Sequence, residues 1–285
     1  MTDKERIDTL LVQKGFFPSR ERAQRAIMAG AVRIDGELLD KPGTKVDVDS
    51  VLTVDEGTRY VSRGAEKLKK ALLIFNIDVN GKICLDTGAS TGGFTEVLLE
   101  NGAAKVICVD VGYGQLAWKL RQDERVVVLE RTNVRYLEKE SLQGLVDIVT
   151  ADLSFISLKK VLGNLIDLSA EEAEFILLIK PQFEAGRDKV GKGGIVKDPE
   201  VHKQVLRDLI YDFEGHGLYL VGVDYSPIKG ADGNIEFLVH LTKGDQRCKG
   251  CQGSRGGRGG RGESEVKNMV DKVVDKAHEE LDKKC

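Results

Sequence analysis

The sequence predicts an α/β protein in which a small α+β domain precedes an open, mostly parallel β-sheet that helices cover on both faces. Between about residues 61 and 242, helical patterns such as GGFTEVLLENGA and QLAWKLRQ alternate with short apolar runs. The first 55 residues differ from the rest, because their predicted helix and strands are short and close together in the sequence. The seven predicted strands of the sheet are KICLD, KVICVDV, RVVVLE, DIVTADL, EFILLIK, LYLVGVDY and IEFLVHL.

The N-terminal segment, residues 1–55, combines one helical pattern with several strand patterns. Ser19 can cap a helix that runs to about Ala29, and Gly30 would end it. The run AVRIDGELL predicts two strands joined by an Asp-Gly turn, and KVDVDSVLTV has apolar residues at alternate positions. These patterns predict a compact α+β unit.

Positive charge is concentrated on this unit, although the net charge of the chain is −3. Glu21 is the one acidic residue between Lys14 and Arg33. Arg22 and Arg25 are three residues apart and therefore share a helix face, which leaves the opposite face for packing through Ala23, Ala26 and Ile27. Charge of one sign suits contacts with nucleic-acid phosphates. The predicted RNA-binding residues are Arg20, Arg22, Arg25, Arg33, Arg59, Arg63 and Lys69.

A glycine-rich turn in ICLDTGASTGGFTEVLL lies between a predicted strand and a predicted helix. Gly88, Ser90 and Gly93 have the G-x-G-x-x-G spacing with serine at the second position, which predicts a nucleotide-like ligand at the helix N-terminus. Asp110 ends the next strand, where its carboxylate could accept hydrogen bonds from ribose hydroxyls. A dinucleotide and S-adenosylmethionine both suit this pattern, and the serine disfavours a pyrophosphate. Asp86 suits a cationic ligand or, alternatively, a helix cap or turn.

Charged residues end two of the most apolar strands. Asp152 follows DIVTA, and Lys180 follows FILLI, where an ordinary surface lysine is the alternative interpretation. The carboxyl ends of parallel strands line one crevice, so Asp110, Asp152 and Lys180 should converge on the edge that carries the glycine loop. Three ionisable groups at one edge predict a functional site.

Six ordered motifs identify a family. SRGAEKLKKAL, LDTGASTGGFT, VDVGYGQL, ADLSFISL, LLIKPQFEAGRDKVGKGGIVKD and GNIEFLVHL together resemble the TlyA family of ribosomal RNA methyltransferases, over about residues 3 to 242. The resemblance implies an S4-like RNA-binding domain at 1–55, a linker at 56–62 and an FtsJ-like, S-adenosylmethionine-dependent methyltransferase domain at 63–243. That domain would have the Rossmann-like, seven-stranded sheet of a class I methyltransferase.

The resemblance also implies a catalytic tetrad. FtsJ-like enzymes use a lysine, aspartate, lysine, glutamate set, which matches Lys67, Asp152, Lys180 and Glu236 here. Lys180 would align and deprotonate a ribose 2′-hydroxyl of ribosomal RNA, at a cytidine, and Asp152 would orient it. Lys67 and Glu236 would position the ribose. By spacing alone, Lys67 is one of three solvated lysines and Glu236 an edge charge.

The cofactor implied by the resemblance is S-adenosylmethionine, and no metal is expected. The glycine loop would hold the methionine part and Asp110 the adenosine ribose. The loop AGRDKVGKGG is expected to be mobile, either closing over cofactor or RNA or having no role. The predicted cofactor-binding residues are Asp86, Gly88, Ala89, Ser90, Thr91, Gly92, Gly93, Asp110 and Val111.

Residues 244–285 are predicted to form a Gly/Arg-rich tail. GSRGGRGGRGE is expected to be disordered, as a linker or a non-specific RNA-binding segment, and a short helix would follow it. Cys248 and Cys251 form a CxxC without a second ligand pair, so no zinc site is predicted. Cys84 and Cys108 lie in apolar runs and should be buried.

Other function classes stay open at this point. They are an RNA-binding protein with an inactive methyltransferase domain, a nicotinamide-dependent oxidoreductase, and the membrane-active protein that the family label haemolysin suggests. No apolar run is long enough to span a bilayer, and MTDKERIDTL has no signal-peptide core. We therefore expect a cytoplasmic protein without a membrane partner.

Overall fold

The computed structural model divides the chain into two compact units, Met1–Tyr60 and Val61–Cys285. Arg59, the side chain of Arg25, Cys248, Cys251 and all but the last two residues of the segment GSRGGRGGRGE lie outside the part of the chain that the structure describes. The described residues are 4–17, 19–28, 31–39, 41–54, 60–142, 144–230, 232–244 and 262–282.

The described residues of the first unit form two short helices and two small antiparallel sheets. Asp35 and Gly36 both have positive φ, 50° and 89°, as the tight turn of a two-residue hairpin requires, so the predicted Asp-Gly turn is confirmed. Strand β1 pairs with β4, and β2 lies between β3 and β5. The elements are β1 (Lys4–Arg6), α1 (Ile7–Gln13), α2 (Arg20–Met28), β2 (Val32–Ile34), β3 (Glu37–Leu38), β4 (Lys45–Asp47) and β5 (Leu52–Val54).

Helix α2 packs on α1 through the face that the sequence predicts. Ala23 and Ile27 are fully buried in the same core as Leu10 and Leu11 of α1, whereas Arg22 is exposed. The Ser19 hydroxyl accepts a hydrogen bond from the Arg22 amide at 3.4 Å, which is the predicted cap. Helix α1 was not predicted, because seven residues are too few to show a helical period and its stability comes from packing.

The second unit contains one seven-stranded sheet and seven α-helices among its described residues. Helices separate the first three strands of the sheet along the chain, as the sequence predicts. The elements are α3 (Gly64–Phe75), β6 (Ile83–Thr87), α4 (Gly93–Glu100), β7 (Lys105–Val109), α5 (Trp118–Arg121), β8 (Val126–Leu129), β9 (Val146–Ala151), α6 (Leu162–Leu168), β10 (Ser169–Ile179), α7 (Pro181–Glu184), α8 (Pro199–Gly215), β11 (Leu218–Tyr225), β12 (Phe237–Lys243) and α9 (Glu263–Asp282).

The sheet has the order β11-β12-β10-β9-β6-β7-β8. Strand β12 is antiparallel to both of its neighbours, and the other pairs are parallel. All seven predicted strands are present, which confirms the predicted fold class. Cys84 on β6 and Cys108 on β7 are buried, as predicted. The chain leaves β6, β7, β9 and β10 at Gly88, Asp110, Asp152 and Lys180, so the parallel strands deliver these residues to one edge.

The C-terminal helix α9 is longer than the sequence predicts and packs against α8 and β11. Its buried face includes Val266, Val270 and Val274, which belong to the main hydrophobic core. The imidazole of His278 lies 3.0 Å from that of the fully buried His202 on α8. The apolar stripe at helical spacing, which predicts a short helix here, is the packing face of α9.

Among the described residues, no helix has the length and apolar character needed to cross a membrane.

Candidate active site

Four ionisable side chains from different parts of the second unit meet in one cluster, which we call the tetrad: Lys67, Asp152, Lys180 and Glu236. The Lys67 Nζ lies 2.6 Å from Glu236 Oε2 and 3.6 Å from Asp152 Oδ2. The Lys180 Nζ lies 2.6 Å from Asp152 Oδ1. The Asp152 carboxylate therefore bridges the two ammonium groups.

The tetrad is largely withdrawn from solvent. Lys67, Lys180 and Glu236 expose 7%, 9% and 2% of their surface. Burial raises the pKa of Glu236, and the neighbouring Lys67 opposes this shift. Lys67 is buried whereas Lys69, two residues away, is exposed, so the interpretation of Lys67 as a solvated lysine was wrong. Each lysine lies against a carboxylate, and this pairing makes their joint burial tolerable.

Two glycines allow the backbone to approach the tetrad. A Cβ added at Gly230 would lie 2.5 Å from Glu236 Oε1, and one at Gly88 would lie 2.6 Å from the Asp152 carbonyl oxygen. Gly88 also has a φ of +80°, which side chains disfavour. A larger residue at Gly230 would displace the Glu236 carboxylate, and one at Gly88 would displace the backbone of Asp152.

The larger cavity at the carboxyl edge of the sheet has a volume of about 460 Å³. Gly88, Ser90, Asp110 and Val111 line it, together with Asp152. The Asp110 carboxylate accepts hydrogen bonds from the amides of Ser90 at 2.8 Å and Gly112 at 2.7 Å. Asp110 therefore both shapes the glycine loop and presents a carboxylate to the cavity.

A smaller cavity of about 260 Å³ adjoins the loop and reaches the tetrad. Lys67, Asp152 and the exposed Arg63 line it. The predicted loop residues Ala89, Thr91 and Gly93 line it too, along with Gly88 and Ser90, which it shares with the larger cavity. Gly92 lines neither cavity, because it packs beside the side chains of Leu116 and Leu120.

Asp86 lies beneath the loop rather than in either cavity. It is fully buried and accepts hydrogen bonds from Thr95 Oγ1 at 2.6 Å and Thr150 Oγ1 at 3.0 Å. Burial raises its pKa to about 6. The structure does not bring this carboxylate to a ligand cavity, because its side chain points into the interior between β6, α4 and β9. Asp86 lies within β6, and its carboxylate links this strand to Thr95 of α4 and Thr150 of β9.

Two residues shortly after Asp152, Ser154 and Phe155, were missed by sequence reasoning. The Lys180 Nζ donates a hydrogen bond to Ser154 Oγ at 2.8 Å. Phe155 is 91% exposed, has a φ of +65° and lines the larger cavity with Ser154. Positive φ is unusual for an aromatic residue and marks local strain. The signal in the sequence was the polar-aromatic pair Ser154–Phe155, which follows the strand-ending Asp152 and its neighbour Leu153.

The loop AGRDKVGKGG is exposed over most of its length and is anchored just beyond its end. The Val196 amide donates to Asn234 Oδ1 at 2.9 Å, and its carbonyl oxygen lies 3.1 Å from His202 Nε2. Asn234 also donates to the Gly194 carbonyl oxygen at 2.9 Å. These bonds join the end of the loop to the segment that leads into Glu236.

The predicted RNA-binding arginines of the first unit differ in their surroundings. Arg20 Nη2 lies 3.0 Å from Asp8 Oδ2, and Arg6 donates two hydrogen bonds to the same fully buried carboxylate. The hydrogen bond from Arg6 is the main reason that the pKa of Asp8 lies well below its ordinary value. Arg22 and Arg33 are exposed. In the second unit, Lys69 and Arg63 are exposed.

The sheet order, the glycine loop after β6 and the residues at the strand ends define a class I methyltransferase fold. Family models match an FtsJ-like methyltransferase over residues 60–243 and an S4 domain over residues 5–52. The first match covers more than half of the chain, so the chain belongs to the FtsJ-like methyltransferase family, and its N-terminal unit is an S4 domain.

Known relatives narrow this assignment. The chain is 54% identical over 240 residues to "Putative rRNA methyltransferase YqxC" of Bacillus subtilis (strain 168), covering 84% of this chain and 85% of that protein. It is 50% identical over 243 residues to "16S/23S rRNA (cytidine-2'-O)-methyltransferase TlyA" of Mycobacterium tuberculosis (strain ATCC 25618 / H37Rv), covering 85% and 91%. A solved structure, "Putative hemolysin from Streptococcus thermophilus.", has 43% identity, a TM-score of 0.75 and coverage of 100% and 99%. The resemblance to the TlyA family is thus confirmed.

Proposed function

We propose that this protein transfers a methyl group from S-adenosylmethionine to the 2′-hydroxyl of a cytidine in ribosomal RNA. The observation that carries the proposal is the buried tetrad beside a ligand-sized cavity, in a chain 50% identical to a protein named as a 16S/23S rRNA (cytidine-2'-O)-methyltransferase. A ribosomal RNA substrate would place the enzyme in the cytoplasm.

The larger cavity fits S-adenosylmethionine. Its volume of about 460 Å³ is typical of small-molecule sites. Asp110 presents a carboxylate that can accept hydrogen bonds from ribose hydroxyls, and the loop at Gly88 and Ser90 would hold the methionine part. S-adenosylmethionine supplies an activated methyl group on a sulfonium.

The tetrad would supply proton transfer and alignment. Lys180, as a neutral amine, would accept the proton of the 2′-hydroxyl, and Asp152 at 2.6 Å would orient the amine. Lys67 lines the smaller cavity and is held by Glu236, so its ammonium would fix the ribose. The ribose would then be presented in line with the methyl group, which is where most of the rate gain arises.

RNA would be bound by charge and by stacking. The S4 domain offers Arg22 and Arg33 on its surface, and Arg63 lines the smaller cavity. Phe155, almost fully exposed at the rim of the larger cavity, would stack on a nucleobase of the unpaired target.

Removing this ring, by Phe155→Ala, should weaken RNA binding or slow methyl transfer by about tenfold, since stacking contributes about 1–3 kcal/mol per base. A Phe155→Tyr variant should behave as wild type, and a fully active Phe155→Ala variant would argue against stacking.

The test is methylation of ribosomal subunits and of naked ribosomal RNA by the purified protein with S-adenosylmethionine, followed by mass spectrometric mapping of methylated riboses. We expect 2′-O-methylcytidine that depends on the enzyme and disappears with excess S-adenosylhomocysteine. RNA binding without methylation would instead favour an inactive methyltransferase domain. Dye leakage from lipid vesicles, measured on the same preparation, tests the haemolysin alternative.

A further inference from the structure

Ser154 contacts the side chain on which the proposed proton transfer depends. Its Oγ accepts a hydrogen bond from Lys180 Nζ at 2.8 Å, and Asp152 Oδ1 lies 2.6 Å from the same nitrogen. Both acceptors belong to the turn that follows β9. Ser154 also lines the larger cavity, so one residue contacts both this cavity and the amine.

The valence of the amine explains why two acceptors matter. A neutral primary amine has two hydrogens and one lone pair, arranged around its bond to Cε. If one hydrogen binds Asp152, rotation about the Cε–Nζ bond still leaves two positions that the lone pair can occupy. A second acceptor at Ser154 takes the other hydrogen. The lone pair is then confined to the one remaining tetrahedral position, where a substrate hydroxyl can meet it.

We propose that Ser154 is a positioning residue for the methyl transfer, because its hydroxyl holds the second N–H of neutral Lys180 and so aims the lone pair at the ribose 2′-hydroxyl. This inference rests on the proposed function. In the step itself, the O2′–H bond breaks and its proton passes to Lys180 Nζ. The oxygen forms a bond to the methyl carbon, and the electron pair of the S–CH₃ bond stays on sulfur, which yields 2′-O-methylribose and S-adenosylhomocysteine.

Ser157 offers a matched control in the same turn. Its hydroxyl donates a hydrogen bond to Glu184 Oε2 at 2.6 Å and does not line the larger cavity. Ser157→Ala therefore removes a side-chain hydrogen bond that supports the turn without removing an acceptor from Lys180. A purely structural role for Ser154 would make the two alanine variants alike.

The experiment compares the full-length wild type with Ser154→Ala, Ser154→Thr and Ser157→Ala, measuring kcat, KM for both substrates and the Kd of S-adenosylhomocysteine. One hydrogen bond is worth about 3- to 10-fold in an equilibrium. We expect Ser154→Ala to lower kcat by about that factor with KM and Kd within twofold, and Ser154→Thr, which keeps the hydroxyl, to restore kcat. Ser157→Ala should retain the wild-type kcat.

Equal kcat values for Ser154→Ala and wild type, or equal losses in the Ser154→Ala and Ser157→Ala variants, would overturn the inference. A Ser154→Ala variant with a raised KM and an unchanged kcat would also overturn the inference. If Ser154→Ala does not fold, Ser154→Cys replaces it, because sulfur is a weak acceptor in nearly the same position. An inactive wild type would refute the proposed function itself, which separates the two failures.

Discussion

Replacing Lys180 with methionine should stop methyl transfer while cofactor binding persists. Methionine keeps an unbranched apolar chain and removes the amino group. Lys180 lines neither of the two cavities described, whereas Asp110 and the glycine loop line the larger one, so the cofactor contacts should survive. The reaction would lose its proposed base.

The structure allows estimates of two effects of Lys180→Met, the loss in kcat and the loss in the free energy of unfolding. Loss of a general base costs about 10²- to 10⁴-fold in kcat. Breaking a buried ion pair by removing one partner costs about 3–5 kcal/mol in the free energy of unfolding. The Asp152 side chain is 20% exposed and keeps Lys67 at 3.6 Å, so its charge stays partly compensated. We therefore expect a smaller stability loss, about 1–3 kcal/mol.

The assay follows methyl incorporation into ribosomal RNA at saturating substrates, with calorimetric titration of S-adenosylhomocysteine and thermal unfolding of the same samples. Lys272→Met, at an exposed position on α9, is the matched control and should behave as wild type. A Lys180→Met variant that binds S-adenosylhomocysteine and still turns over within tenfold of wild type would refute the role of Lys180. Loss of S-adenosylhomocysteine binding would refute the separation of the cofactor site from the tetrad.

Three further predictions concern stability and RNA binding. Burial raises the pKa of Asp86 from 3.8 to about 6, so the protonated carboxyl group stabilises the folded protein below pH 4. This stabilisation, about 3 kcal/mol in the free energy of unfolding, is lost as the pH rises through 6. Asp86→Asn should abolish this pH dependence of the free energy of unfolding, measured by denaturant titration at several pH values. Val274→Ala should lower the free energy of unfolding by about 2 kcal/mol, because Val274 is fully buried in the core. Lys267→Ala, at an exposed position of the same helix, is the control. Equal stabilities of the Val274→Ala and Lys267→Ala variants would mean that α9 is not docked in solution. Arg22→Glu should weaken RNA binding severalfold at low salt and leave the Kd of S-adenosylhomocysteine unchanged, and unaltered RNA affinity would remove Arg22 from the binding surface.

Local patterns were sufficient for much of the fold. Apolar runs predicted all seven strands of the large sheet, because a strand buried on both faces is apolar along its length. Ser19 and the Asp35–Gly36 turn were predicted because capping and tight turns depend on a few adjacent residues. Helix α1 escaped prediction because it is short, and α9 was predicted as a helix but as a shorter one than its 20 residues.

The composition of the site could be predicted only in part. Asp110, Asp152 and Lys180 were found from strand ends, since parallel strands share one carboxyl edge. Lys67 and Glu236 were found only through the resemblance to the family, because their spacing does not distinguish them from surface charges. Ser154 and Phe155 were missed, since a hydrogen bond to Lys180 and an exposed ring at positive φ leave no periodic trace in the sequence.

The amino-acid sequence by itself determined the order of helices and strands, the glycine loop and the strand that brings each polar residue to the edge of the sheet. Tertiary structure alone decided that Lys67 is buried while Lys69 is exposed, that Asp86 faces the interior, and that one carboxylate bridges two lysines. The physical reason is that the spacing of apolar residues in the sequence depends only on which face of its own helix or strand a residue occupies. Burial and charge pairing between residues far apart in the chain depend on how those elements pack.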